Sequence, residues 1–204
     1  MILERCALIC TLPSDRTAVE RMFASPAPGS FGEEWIRSQP SHTGHAGCVE
    51  SYLDFFLPVW SEAVRALAGL EIAMISNASS DNFAESFGVF DVIGVLAHHV
   101  EDPPRGQLPG IECIDKTITL PELAAIAPVG PAVVHLGVCR SVGFSGALKA
   151  RCGSVIVISS QAQVEPEFFL RTFTKTAELW RTVRCNYVEA HTSVRFAMLN
   201  ALGA

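Results

Sequence analysis

The sequence predicts an α/β protein with a mainly parallel central sheet flanked by helices, and three observations carry that expectation. Four short runs rich in Val and Ile, at 70–76, 90–97, 132–138 and 154–159, are mainly apolar without alternation. Such continuity marks strands covered by helices on both faces. Segments with helical start signals lie between these runs, as parallel strands require of their connections. The length also fits: 204 residues, 49% hydrophobic and 18% charged, suit one domain with a sizeable core. A disordered chain and a large multidomain machine are both excluded.

Taken in order, residues 5–11 form a short apolar run read as the first strand, with a helical start at Ser14-Asp15. Residues 24–47 collect Pro26, Pro28-Gly29, Pro40, Gly44 and Gly47, so this stretch reads as loop with one turn of helix at 33–37. Residues 49–68 read as helix: Tyr52, Phe55, Phe56, Val59, Trp60, Ala63, Val64 and Leu67 recur at spacings of three and four. Pro58 is expected to kink it. Short helices are expected at 81–87, 121–126 and 144–151 between the later strands. Two longer helices, 166–184 and 187–202, close the chain. No repeat, heptad or low-complexity segment interrupts the pattern.

A net charge of −6 argues against nucleic acid or an anionic membrane as partner. The apolar run at the N-terminus stops at Pro13-Ser14-Asp15, too short for a signal-peptide core. The longest apolar stretch, 124–139, contains Pro128, Pro131 and His135 and does not read as a membrane helix. Seven cysteines, an odd number scattered through apolar runs, read as reduced thiols, so a cytoplasmic location is expected.

Two strands run into reactive side chains. The run 90–97 leads into His98-His99, and 132–138 leads into Cys139-Arg140-Ser141, 41 residues after His98. If the strands are parallel neighbours, a thiol and an imidazole share one rim of the sheet. A thiol is a good nucleophile only as thiolate, and an imidazole can take its proton and later protonate a leaving amine. A buried Cys with an incidental His is the alternative the residues leave open.

At these residues the chain resembles the caspase-like cysteine peptidases. Residues 95–102 (Val-Leu-Ala-His-His-Val-Glu-Asp) resemble their strand-then-His-Gly segment, and 134–141 (Val-His-Leu-Gly-Val-Cys-Arg-Ser) their strand ending in Cys. The similarity is closest to the CHAT branch, with a Leu-rich helix at 118–123 between His and Cys. A hydrophobic strand at 154–159 leads to Val164-Glu165-Pro166-Glu167, and an Ala-containing closing helix begins near 188. It covers about residues 70–200 of one domain spanning 1–204, with 24–48 as a loop-rich insertion.

The resemblance implies a three-layer caspase-like sandwich and a cysteine endopeptidase cleaving a partner protein through a thioester acyl-enzyme. A bacterial defence or cell-death setting is implied with it. Cys139 would be the nucleophile and His98 the general acid/base. The backbone N–H groups of Cys139 and His99 would hold the oxyanion, His99 standing where the family has Gly. Arg140, Glu165 and Glu167, with Glu101 and Asp102, are candidates for substrate binding. Gly137 stands where relatives that cut after Arg or Lys often carry a carboxylate. Neither metal nor organic cofactor is implied; the partners are a protein or peptide substrate and a regulatory protein.

Other constellations compete. Residues 143–147 (Gly-Phe-Ser-Gly-Ala) approach the Gly-x-Ser-x-Gly elbow of serine hydrolases, with Ser145, then Glu165 or Glu167, then His191. His42, His45 and Cys48 recur at three-residue intervals, yet a structural zinc site wants four ligands. No glycine-rich phosphate loop is present. A catalytically inactive α/β binding module is the remaining alternative.

Overall fold

The computed structural model describes residues 5–101, 108–126, 132–152 and 154–201. Its strands are β1 (Cys6–Cys10), β2 (Ala73–Ile75), β3 (Val92–Leu96), β4 (His98–Val100), β5 (Gly110–Glu112), β6 (Thr117–Thr119), β7 (Val133–Gly137) and β8 (Ile156–Ile158). Five of them form a parallel sheet in the order β2-β1-β3-β7-β8. At its centre Val92 pairs with Val133 and Leu96 with Gly137, so β3 and β7 end at the same level. A small antiparallel sheet, β4-β5-β6, extends from the end of β3. Nothing in the sequence warns of it, because three-residue strands carry too few positions for a period to show.

The helices are α1 (Arg16–Ala24), α2 (Phe31–Ser38), α3 (His45–Ala68), α4 (Ser80–Val89), α5 (Leu120–Ile126), α6 (Val142–Cys152), α7 (Pro166–Val183) and α8 (Tyr187–Ala201). Their starts follow capping chemistry. The Asp15 carboxylate accepts from the Ala18 N–H to open α1, and Ser79 and Asn82 cap α4 reciprocally. In place of the single turn expected at 33–37, α2 runs for eight residues. Its Ser30 cap and the Glu33 carboxylate, which accepts from the Gly29 N–H at 2.6 Å, stand among Pro and Gly turn signals. Helix α3 starts four residues earlier than expected and continues through Pro58. The proline removes one backbone bond, while Tyr52, Phe56, Trp60 and Ala63 bury the helix's apolar stripe on either side of it.

Strand residues alternate between two cores. Cys6, Leu8, Cys10, Val92, Leu96 and Val133 face the core built with α1, α3, α7 and α8. Ile9, Ile93, Val95, Val134 and Leu136 face the one built with α4, α5, α6 and the small sheet. Two glycines let α7 approach the middle of the sheet. A Cβ on Gly94 would stand 2.4 Å from the Phe173 ring, and one on Gly137 would stand 2.4 Å from the Phe169 ring. Both phenylalanines are buried. Gly94→Val should therefore lower stability by about 1–3 kcal/mol, the usual cost of overpacking. Adding Phe173→Ala should recover part of that loss; urea unfolding of the single and double variants measures both effects.

His135 is 5% exposed in the middle of β7, and its Nδ1 shares a 3.2 Å hydrogen bond with the Tyr187 hydroxyl. Burial, with the nearby His191 and Arg195, holds its pKa well below 6.5. The unfolded chain thus takes up a proton near pH 6.5 that the folded chain refuses, so stability is present above that pH and falls below it. The slope from this group approaches about 1.4 kcal/mol per pH unit. His135→Phe should flatten the dependence of unfolding free energy on pH between 7 and 5; an unchanged slope would remove His135 as its source.

No described helix is long and apolar enough to cross a membrane. The six cysteines whose side chains are described, at 6, 10, 48, 113, 139 and 185, are all free; the Cys152 side chain lies outside the described residues.

Candidate active site

Because β3 and β7 are parallel neighbours in register, the residues after each strand emerge on one rim of the sheet. In α/β folds that carboxyl-end rim is where reactive groups gather. Cys139 lies two residues past β7, in the turn that leads into α6. Arg140, next in the turn, has a left-handed backbone with φ of 48°. A side chain other than glycine is rarely held there, and doing so costs about 1–3 kcal/mol unless the surroundings impose it.

The surroundings do impose it. Four hydrogen bonds join the strap between β8 and α7 to this turn. The Arg140 N–H donates to the Ala162 carbonyl at 3.1 Å, the Ser160 N–H to Ser141 Oγ at 3.0 Å, and the Val164 N–H to Cys139 Sγ at 3.3 Å, while the Cys139 thiol donates to the Val164 carbonyl at 3.9 Å. The sulfur is therefore half-buried against polar backbone and not packed into hydrocarbon. Among the described residues the Cys139 N–H has no acceptor, which suits the oxyanion role the resemblance gives it.

Successive residues of β4 face opposite ways, and its two histidines diverge accordingly. His99 turns toward the cysteine turn. Its Nδ1–H donates to the Cys139 carbonyl at 3.1 Å, and its ring meets Phe144 edge-on at 4.9 Å. That bond leaves Nε2 as the lone-pair nitrogen. Burial lowers the His99 pKa, partly offset by the bond to Cys139 and the charge of Glu101, so the ring is a neutral base at pH 7. His98 turns to the other side. Its Nε2–H donates to the Gly29 carbonyl at 3.3 Å, 3.9 Å from Glu34 Oε1, with its ring against Phe31. The structure thus brings His99, not His98, to the backbone of Cys139; among the described residues neither ring hydrogen-bonds the sulfur.

The candidate recognition residues are dispersed. Arg140 forms an ion pair with Glu101, so each neutralises the other beside the site. Glu101 is accordingly held below its usual pKa by that guanidinium. Glu167 pairs with Arg171 one turn along α7 at 2.9 Å. Glu165 is the residue before α7 and is exposed, whereas Asp102 lies outside the described residues. Ser145 sits inside α6, its N–H bonded to the Ser141 carbonyl, and so is not at a strand-to-helix elbow. His191 is on α8 beside His135, not beside Ser145. His42 and His45 are exposed while Cys48 is buried, and no group of three potential metal ligands occurs among the described residues.

No family model matches the chain, and no curated protein matches it.

The sequence reading missed one cluster: His135, His191 and Tyr187, with the two imidazole rings 4.5 Å apart. The signal was present in the lone His of the otherwise apolar run 132–138.

The strap makes a testable claim about Ser141, which is fully buried. Ser141→Ala leaves the Ser160 N–H without its acceptor and should cost about 1–3 kcal/mol. Freed from one of its ties, the turn should also expose the thiol, so Cys139 alkylation by iodoacetamide in the native protein should speed up. An unchanged alkylation rate would mean that the strap does not hold the turn.

Proposed function

We propose that the chain is a cysteine peptidase, of caspase-like three-layer architecture and nearest the CHAT branch, that cleaves a partner protein through Cys139. One observation carries the reading: parallel neighbours β3 and β7 deliver a half-buried thiol and a neutral imidazole to one rim, joined by the 3.1 Å bond from His99 to the Cys139 carbonyl. The helix expected between histidine and cysteine is α5, and the strand expected after them is β8. Strain at Arg140 supports the same reading, as does a Cys139 N–H without an acceptor among the described residues.

The chemistry follows from these groups. An imidazole takes the proton of the Cys139 thiol, and the thiolate attacks the scissile carbonyl carbon. The oxyanion so formed sits on the Cys139 N–H. The imidazolium then gives its proton to the amine as the C–N bond breaks, leaving a thioester. Water, deprotonated by the same ring, attacks the thioester and releases the acid. Hydrogen bonds that serve such steps are often long before substrate binds and close only in the complex.

The geometry supports His99 as the working base, whereas the resemblance assigns that task to His98. The two are separable with a peptidyl fluoromethyl ketone. Cys139 should be labelled far faster than the other thiols, and His99→Ala should slow its labelling by about 100-fold or more, the scale of general-base assistance. His98→Ala should slow it only a few-fold if His99 is the base; the reverse ranking assigns the role to His98. If Cys139 reacts no faster than the other thiols, and neither variant matters, the chain is a binding module and the peptidase reading fails.

A further inference from the structure

We propose that the cavity between β7, α7 and α8 is a binding site for a carboxylate carried on an apolar body. The cavity has a volume of about 760 Å³, within the range of small-molecule sites, and an apolar wall faces polar groups in it. Val142, Ile158, Phe168, Phe169 and Leu199 supply the apolar wall. His135 and His191 also line it, both more than nine-tenths buried.

The charge of the site selects the occupant. Arg195 lines the same cavity one helical turn beyond His191, and its positive charge acts on both imidazoles. Among the described residues it forms no ion pair, and neither imidazole is paired with a carboxylate. His191 Nδ1 is buried without a hydrogen-bond partner among those residues. Arg195 is exposed, and where it lines the cavity its guanidinium can hold a carboxylate in a two-pronged bond. Glu165, at the start of α7 and also lining the cavity, repels a second negative charge and so favours a monoanion over a phosphate.

The cavity shares a wall with the candidate active site. Ala162 and Val164 line it, and these are the residues that hold the Arg140 N–H and the Cys139 sulfur. The binding claim nevertheless stands apart from the peptidase reading, since it requires no reaction at Cys139.

The test uses the full chain and three probes of equal body: 4-phenylbutyrate, 4-phenylbutanol and 4-phenylbutylamine, titrated by calorimetry. The acid should bind saturably, with the alcohol and amine weaker by about ten-fold or more. Arg195→Gln should cost the acid about ten-fold while leaving the alcohol's affinity unchanged. Thr172→Trp should block all three by filling the cavity, with Leu199→Trp as a second filler should the first fail to fold. Equal affinity for acid and alcohol, an Arg195→Gln variant that binds the acid as wild type does, or no binding of any probe would each overturn the proposal. Labelling of Cys139 by the fluoromethyl ketone, measured without probe in Arg195→Gln, should match wild type. Failure of the carboxylate site is thereby distinguished from failure of the peptidase reading.

Discussion

The seating of two α7 phenylalanines in notches cut by glycines at the centre of the sheet is the constraint on which the rest of this structure depends. Phe169 fills the space over Gly137 and Phe173 the space over Gly94, on the two adjacent central strands. Helix α7 is thus fixed in position along β7 as well as in its distance from the sheet. The strap that precedes α7 inherits that position, because Pro166 opens the helix directly after it. Four hydrogen bonds pass the position on to the cysteine turn, where they hold Arg140 in a conformation it would not otherwise keep. The site is in this sense a consequence of how one helix packs.

Among the described residues, an ion pair flanks Cys139 on this rim. Glu101 and Arg140 cancel one another, and the His99 imidazole is held neutral by partial burial. On the opposite face of β4, His98 and Glu112 dock the start of α2, with the Phe31 N–H donating to Glu112 at 2.8 Å. The small antiparallel sheet therefore has two faces with different tasks. One presents His99 to the cysteine turn; the other anchors the segment whose composition is loop-rich. Burial raises the pKa of Glu112, with Glu34 adding to that rise and His98 and the Phe31 N–H opposing it. The folded chain therefore takes up the Glu112 proton more readily than the unfolded chain does, whereas the lowered pKa of His99 makes the face toward Cys139 the one that loses stability as the pH falls.

Much of this architecture is legible in the sequence, for reasons that can be named. Continuous Val- and Ile-rich runs mark buried parallel strands because each strand is covered twice, and all five strands of the main sheet fall within the apolar runs. The common rim of His98-His99 and Cys139 follows from parallel direction alone. What pattern cannot reveal is which way a side chain turns when strand pairing is too short to show a period. His98 and His99 are adjacent in sequence, and only the β4–β5 ladder, with His98 opposite Glu112 and His99 opposite Ile111, sends them to opposite faces. For the same reason Arg140 and Glu101 read as separate recognition candidates and not as a pair, since the bond between them depends on the unseen strand. Helix α2 is longer than its pattern suggests because its cap and its turn signals use the same residue types.

Coupling between the thiol of Cys139 and the imidazole of His99 is the centre of the account, and the titration of His99 measures it most directly. With histidine labelled at Cε1, carbon chemical shifts give the His99 midpoint in the wild-type protein and in Cys139→Ala. The account predicts that the midpoint moves when the thiol is removed, because a ring that exchanges a proton with a neighbouring sulfur titrates together with it. A His99 curve superimposable in the two proteins, with both folded alike, would contradict it.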